Sequence, residues 1–160
     1  MPCIALPGQP DARCWEEFFP KSETPIPLVI DLHNRGSSAL EQQRRSGWSH
    51  LARLEGFGVY WPEAHGWRYG IGSVDWNDGS PGAPSVDDED FLQHLLFRAS
   101  TTSIHSSGVA APIDMSRIYL TGWGSGCAMV QRAGAGRFSG LYAGIGCFGG
   151  YLQEKNKGGL

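Results

Sequence analysis

One segment constrains this chain more than any other: Arg117-Ile118-Tyr119-Leu120-Thr121, then Gly122-Trp123-Gly124-Ser125-Gly126, then Cys127-Ala128-Met129-Val130-Gln131-Arg132-Ala133. The first part reads as a short apolar strand, the glycines as a turn, and the last part as the start of a helix. A strand that enters a helix through so short a turn must reverse sharply. Positions two before and two after the turn's centre must then be small, because strand and helix nearly touch there. Gly122 and Gly126 hold those places, which centres the turn on Gly124. A strand feeding a helix in this way belongs to an α/β layer built on a parallel sheet, with right-handed connections.

The rest of the sequence fits that frame. Residues 1–26 read as irregular, because Pro2, Pro7, Pro10, Pro20 and Pro25 interrupt regular pairing. Leu28-Val29-Ile30-Asp31-Leu32-His33 is a nearly continuous apolar run, the pattern of a parallel strand covered on both faces. A helix is predicted over 38–54, capped by Ser37 or Ser38 with Glu41 three residues after Ser38, weakened at Gly47 and stopped at Gly56. A strand follows over 57–61, then a long Gly-, Trp- and Asp-rich loop over 62–84. The next helix, over 86–98, is predicted to take Ser85 as its cap. Asp87, Asp88, Glu89 and Asp90 sit in its first turn, where the helix dipole favours acids, and a cap explains them better than a cation site does. Phe91, Leu92, Leu95 and Leu96 form its buried face. Residues 100–112 read as a connection, 126–134 as a helix, 141–146 as a fourth strand, and 151–160 as a flexible tail. The domain is thus expected over 27–150.

Composition removes several classes of function. Thirteen basic against sixteen acidic residues leave a net charge of −3 with no basic patch, so no nucleic-acid partner is expected. Apolar runs are too short for a transmembrane helix. The Met-Pro-Cys-Ile-Ala-Leu-Pro start shows no signal peptide, which leaves the cytoplasm as the default compartment. Cys3, Cys14, Cys127 and Cys147 lack metal-site spacing, so no metal is expected. They allow three disulfide pairings and nothing selects among them. For a chain read as cytoplasmic, buried free thiols are the expectation.

Several stretches taken together resemble a known family, the α/β-hydrolase esterases of the polyhydroxybutyrate depolymerase and feruloyl esterase type. They are Pro27 to His33, Ser46-Gly47-Trp48 through Glu55-Gly56-Phe57, Tyr60-Trp61-Pro62-Glu63, Trp76-Asn77, Asp87 to Phe91, Ile113 to Gly122, and Gly126-Cys127-Ala128-Met129. The resemblance implies a three-layer α/β/α sandwich on a parallel sheet, truncated here after about the fourth recognisable strand. It implies a poorly covered last strand, because a full hydrolase adds strands and helices there, and such an edge is a liability for self-association. It also implies a small-molecule ester or a polyester as substrate, acyl transfer as chemistry and no cofactor. Members of the family are often secreted. His33, with Asn34 in place of a glycine, falls on the family's His-Gly oxyanion loop. Hydrogen bonding as a structural histidine is the plainer role for His33. Trp61, Trp76 and Trp123 are candidates for the substrate cleft, as are Trp67 and Tyr69, with packing under the long loop the alternative for the loop aromatics.

The departures from the family matter as much. Aligned on its Gly-x-Ser-x-Gly, the nucleophile position falls on Gly124, which has no side chain. Ser125 follows one place later, where its N–H would serve the oxyanion. Taking Ser125 as nucleophile puts Trp123 and Cys127 at the small-residue places, a register that needs a one-residue bulge. The family's triad takes an Asp and then a His after the nucleophile. After Ser125 this sequence holds Glu154 as its one carboxylate and no histidine. His33, His50, His65, His94 and His105 all precede the turn. His50 reads as a surface group, and His65, His94 and His105 have no evident partner. Three readings follow. The chain is an inactive portion of a serine esterase, or an active esterase using Ser125, or a non-catalytic binding or assembly protein that keeps the cleft.

Overall fold

Alternation along β3 (Ile26–Leu32) organises the molecule. A computed structural model describes residues 1–65, 74–80 and 82–150. In it Leu28, Ile30 and Leu32 point into one core and Val29 into another. A strand buried on both faces must be apolar nearly throughout, which is why its sequence does not alternate. β3 lies parallel to β4 (Gly58–Pro62) on one side and to β5 (Ile113–Trp123) on the other. β6 (Gly144–Phe148) continues the parallel set beyond β5.

On one face, Ala39 of α1 (Ala39–Ser46) and Trp48 and Ala52 of α2 (Trp48–Glu55) pack on Val29, Val59 and Trp61. On the other face, α3 (Asp88–Thr101) contributes Phe91, Leu92, Leu95 and Leu96, and α4 (Ser125–Ala135) contributes Met129, Val130 and Ala133. These three layers are the sandwich the sequence predicts.

Four details correct the sequence-based expectations. Residues 1–26 are not irregular: β1 (Cys3–Ile4) pairs antiparallel with β2 (Arg13–Phe18), and β2 pairs antiparallel with β4. The five prolines all fall outside the paired residues, so none removes a ladder hydrogen bond. Among the described residues the sheet therefore has six strands, in the order β1-β2-β4-β3-β5-β6, and not four. The helix expected over 38–54 is two helices, because Gly47 at φ 74° is left-handed and ends α1 before α2 begins. The cap of α3 is Asp87, whose carboxylate accepts the Asp90 N–H at 2.9 Å, and not Ser85. Finally, the cysteines are not free thiols: Cys3 bonds Cys14 across β1 and β2, and Cys127 of α4 bonds Cys147 of β6.

Between Ile26–Ile113 and Leu28–Ile118 the β3–β5 register shifts. The extra residues of β5 are pinned by Asp114. Its carboxylate accepts the Ser116 hydroxyl at 2.6 Å, the Arg117 Nε–H at 2.6 Å and the Ser116 N–H at 2.9 Å. Those bonds, Ser116 first, pull its pKa down to about 2. Among the described residues β6 is the outermost strand beyond β5, and Ile145 and Phe148 on it are about half exposed. The strands meet the site at their C-terminal ends, where β3 runs into residues 33–37 and β5 into the Gly124 turn. The tail over 151–160, with Glu154, lies outside the described residues.

Candidate active site

The turn between β5 and α4 is built by exclusion of side chains. A Cβ on Gly122 would stand 2.6 Å from the carbonyl carbon and oxygen of Gly126. A Cβ on Gly126 would run into the Leu32 carbonyl oxygen and stand 2.6 Å from that of His33. Both obstacles are backbone and cannot swing aside. Between these two glycines, Gly124 has φ 57° and ψ −115°, a conformation that side-chain-bearing residues rarely adopt. Its N–H donates to the Phe148 carbonyl at 2.9 Å, and its carbonyl accepts the Cys127 N–H at 3.1 Å. It is thus the residue at which the sheet ladder ends and the helix begins. Ser125 is the first residue of α4.

The loop after β3 faces this turn. The Ser125 N–H donates to Asn34 Oδ1 at 3.0 Å. The first N–H groups of a helix lack partners within it, so this bond satisfies a donor that would otherwise need water or a ligand. The loop itself is tied down from below. The Trp76 indole N–H donates to the His33 carbonyl at 2.8 Å, the Gly36 N–H to the Val74 carbonyl at 2.9 Å, and Arg35 Nε–H to Asp75 Oδ2 at 2.5 Å.

His33 is wholly buried. Its Nε2 accepts the Ala64 N–H at 3.0 Å, which puts the ring proton on Nδ1, and Nδ1 donates to the Asn34 carbonyl at 2.8 Å. Glu63 Oε1 lies 3.3 Å from Nε2, but an ion pair there would need a proton that the Ala64 N–H opposes. Glu63 acts through its other oxygen, which accepts the Ala39 N–H at the start of α1 at 2.8 Å. Both nitrogens of His33 are therefore spent on shaping the loop.

A cleft of about 670 Å³ opens beside the turn, lined among others by Asn34, Arg35, Ser37, Gln42, Trp48 and Trp123. Trp123, 55% exposed, stacks on Phe148 with ring centroids 6.4 Å apart. Of the other proposed cleft tryptophans, Trp61 and Trp76 do not line it. Trp61 is fully buried against α1 and α2, and Trp76 is fully buried beneath His33, where a large indole is worth more as core than as a surface contact. Trp67 and Tyr69 lie outside the described residues. Among those described, no group of three or more His, Cys, Asp or Glu could hold a metal ion, and no helix is long and apolar enough to cross a membrane.

Asp31 lies against the same cleft and accepts Thr121 Oγ–H at 2.8 Å and Gln42 Nε2–H at 2.9 Å. Burial pushes its pKa above the ordinary 3.8, and the hydrogen bonds only partly offset this. The folded chain then holds this proton to higher pH than the unfolded chain does. Its contribution is fully present below the ordinary value and is lost as pH rises through the raised one. The stability of the parent relative to Asp31→Asn should therefore be greatest, and level, below about pH 4 and decline from about pH 4 upward. Urea midpoints measured across that range check this, and a pH-independent difference would contradict it.

No protein-family model and no curated protein matches this sequence. Solved structures do. An acetyl xylan esterase from Aspergillus awamori superposes with a TM-score of 0.68 at 16% identity, over 88% of this chain and 47% of that one. A ferulic acid esterase gives 0.65 at 15% identity, over 90% and 56%. The carboxylesterase of Bacillus cereus gives 0.58 at 15% identity, over 89% and 63%. The chain has the α/β-hydrolase fold. It spans about half to two thirds of the length of these α/β-hydrolase structures.

Within that fold, the described histidines other than His33 make their contacts on other elements. His94 bonds the Asp90 carbonyl at 2.9 Å, His105 is buried on the Phe19 ring and bonds the Ala111 carbonyl at 2.8 Å, and His65 lies 3.7 Å from Asp11. His50 is exposed on α2. Sequence reasoning missed Asp75, which fastens the loop through Arg35, and Glu63, which accepts the Ala39 N–H at the start of α1. It also missed Asp88, which is buried and bonds Arg13 Nη2 at 2.5 Å and the Asn77 N–H at 2.6 Å. The adjacency of Asp75 to the Trp76-Asn77 pair was the one available signal.

Proposed function

We infer that this chain is an α/β-hydrolase-fold protein related to carboxylic-ester hydrolases whose nucleophile elbow is centred on Gly124, and that it does not itself turn over esters. The observation that carries this reading is the backbone of Gly124, held at φ 57° and ψ −115° between two glycines with no room for a Cβ. In this fold the nucleophile occupies such a sharp strand-to-helix turn, and the following N–H helps hold the oxyanion. Gly124 would then stand at the nucleophile's place and Ser125 at the oxyanion donor's. Acyl transfer needs a nucleophilic side chain activated by a base. Gly124 offers none.

Ser125 is a poor substitute. Its hydroxyl is buried at the start of α4, and among the described residues it has neither a hydrogen-bond partner nor a histidine bonded to it. The substrates that related sites would take are carboxylic esters, aryl, acetyl or polyester, with Trp123 beside the cleft as a platform for an aromatic or sugar-like group. The test is release of p-nitrophenol from p-nitrophenyl acetate and butyrate. The rate with the purified chain should match that of buffer. Turnover abolished by Ser125→Ala would overturn the reading and make Ser125 the nucleophile.

A second reading, binding or assembly without catalysis, is favoured by one observation. The outer strand β6 carries Ile145 and Phe148 exposed, and Tyr119 and Trp123 are exposed beside it on β5. An uncharged sheet edge of this kind supports self-association. Sedimentation velocity should then show a concentration-dependent dimer, and a monomer at all concentrations would set that reading aside.

A further inference from the structure

We propose that the Asn34 carboxamide is a built-in occupant of the oxyanion pocket, and that Asn34 and Gly124 form a complementary pair in which a side chain on one demands none on the other. The proposal rests on the reading of Gly124 as the elbow's centre. Its first ground is that Ser125, whose N–H would be an oxyanion donor, already donates to a neutral amide oxygen, Asn34 Oδ1, at 3.0 Å. Its second ground is steric and independent of that bond. A Cβ built on Gly124 would collide with Asn34 Oδ1, and it would stand 2.6 Å from Asn34 Cγ and 3.2 Å from Nδ2. The volume a nucleophile's side chain would need is the volume Asn34 fills.

The occupant is held in place from its own backbone. The Asn34 carbonyl accepts the His33 Nδ1–H at 2.8 Å and the Ser37 N–H at 3.0 Å. The loop is fastened further by Trp76 and Asp75. With the backbone fixed, a short side chain reaches the start of α4 without the entropy cost a long one would bear. An amide oxygen in the pocket mimics the carbonyl of an acyl group. An ester entering the cleft would have to displace it and break its bond to Ser125.

Two measurements test this on the full chain. The first is amide hydrogen exchange of Ser125 by NMR. Being first in the helix, this N–H has no intrahelical acceptor, so its protection depends on Asn34. Asn34→Gly and Asn34→Ala should each speed its exchange at least about threefold, and Asn34→Asp, which keeps an acceptor, should not. Unchanged exchange in Asn34→Gly and Asn34→Ala would overturn the proposal. The second is the melting temperature of Gly124→Ala in two backgrounds. Its backbone cost is common to both, so the difference isolates the contact. The drop should be at least halved when Asn34 is replaced by Gly, and equal drops would overturn the proposal. If Gly124→Ala does not fold, the exchange measurement decides alone. Ester turnover by the unaltered chain would instead refute the elbow reading while leaving the exchange and melting results as they stand.

Discussion

Gly126→Ala is expected to destabilise the fold by about 3 kcal/mol or more, among the largest effects of any single methyl added to this chain. The new Cβ would press on the carbonyl oxygens of Leu32 and His33, and neither can move without breaking β3 or the loop that follows it. Gly36→Ala is the matched comparison. Gly36 has φ 72° but nothing within 4 Å of a Cβ, so only the left-handed backbone opposes the change, at about 1–2 kcal/mol. Urea unfolding of both variants separates collision from conformational cost. Equal losses would mean that strand and helix do not approach as closely as the turn requires.

Asp88→Ala should cost about 3–5 kcal/mol, because it leaves a buried cation without its partner. Arg13 is 3% exposed, and among the described residues its further hydrogen-bond acceptors beyond Asp88 are the neutral Gln9 Oε1 and Glu63 carbonyl, both at 3.1 Å. The Asn77 N–H loses its acceptor in the same stroke. Glu41→Ala, which removes an exposed pair with Arg45 at 4.0 Å, should change stability by well under about 1 kcal/mol. The size of the Asp88 effect decides between two views of the acidic run that opens α3. As a solvated cap, each of its members would matter slightly. As a structural tie between β2 and α3, Asp88 alone would matter greatly.

That acidic run also shows where the sequence was legible and where it was not. Its helix-start character could be read from local chemistry, because capping depends on neighbours a few residues away. Which aspartate is buried could not, since Arg13 lies far away in sequence, on a strand hidden among prolines. The same division holds elsewhere. The apolar run of β3 and the glycine spacing around Gly124 are local signals, and the layers and the turn follow from them. β1 and β2 needed partners from elsewhere in the sheet before they could be recognised. The disulfides needed the spatial neighbours that only the folded chain supplies. Trp61 and Trp76 looked like cleft residues because aromatic content cannot tell an exposed platform from a buried prop. The contact between Asn34 and Ser125 was half visible. The replacement of glycine at position 34 stood in the sequence, but its complementarity to Gly124 required both loops in place.

Covalent labelling with a fluorophosphonate tests the central claim most directly, because the reagent reports a reactive serine at an elbow without depending on the ester chosen. With the turn centred on Gly124 and the Ser125 hydroxyl buried, intact-mass analysis should show the chain unmodified after incubation with excess reagent. A stoichiometric adduct mapped to Ser125 would contradict the account.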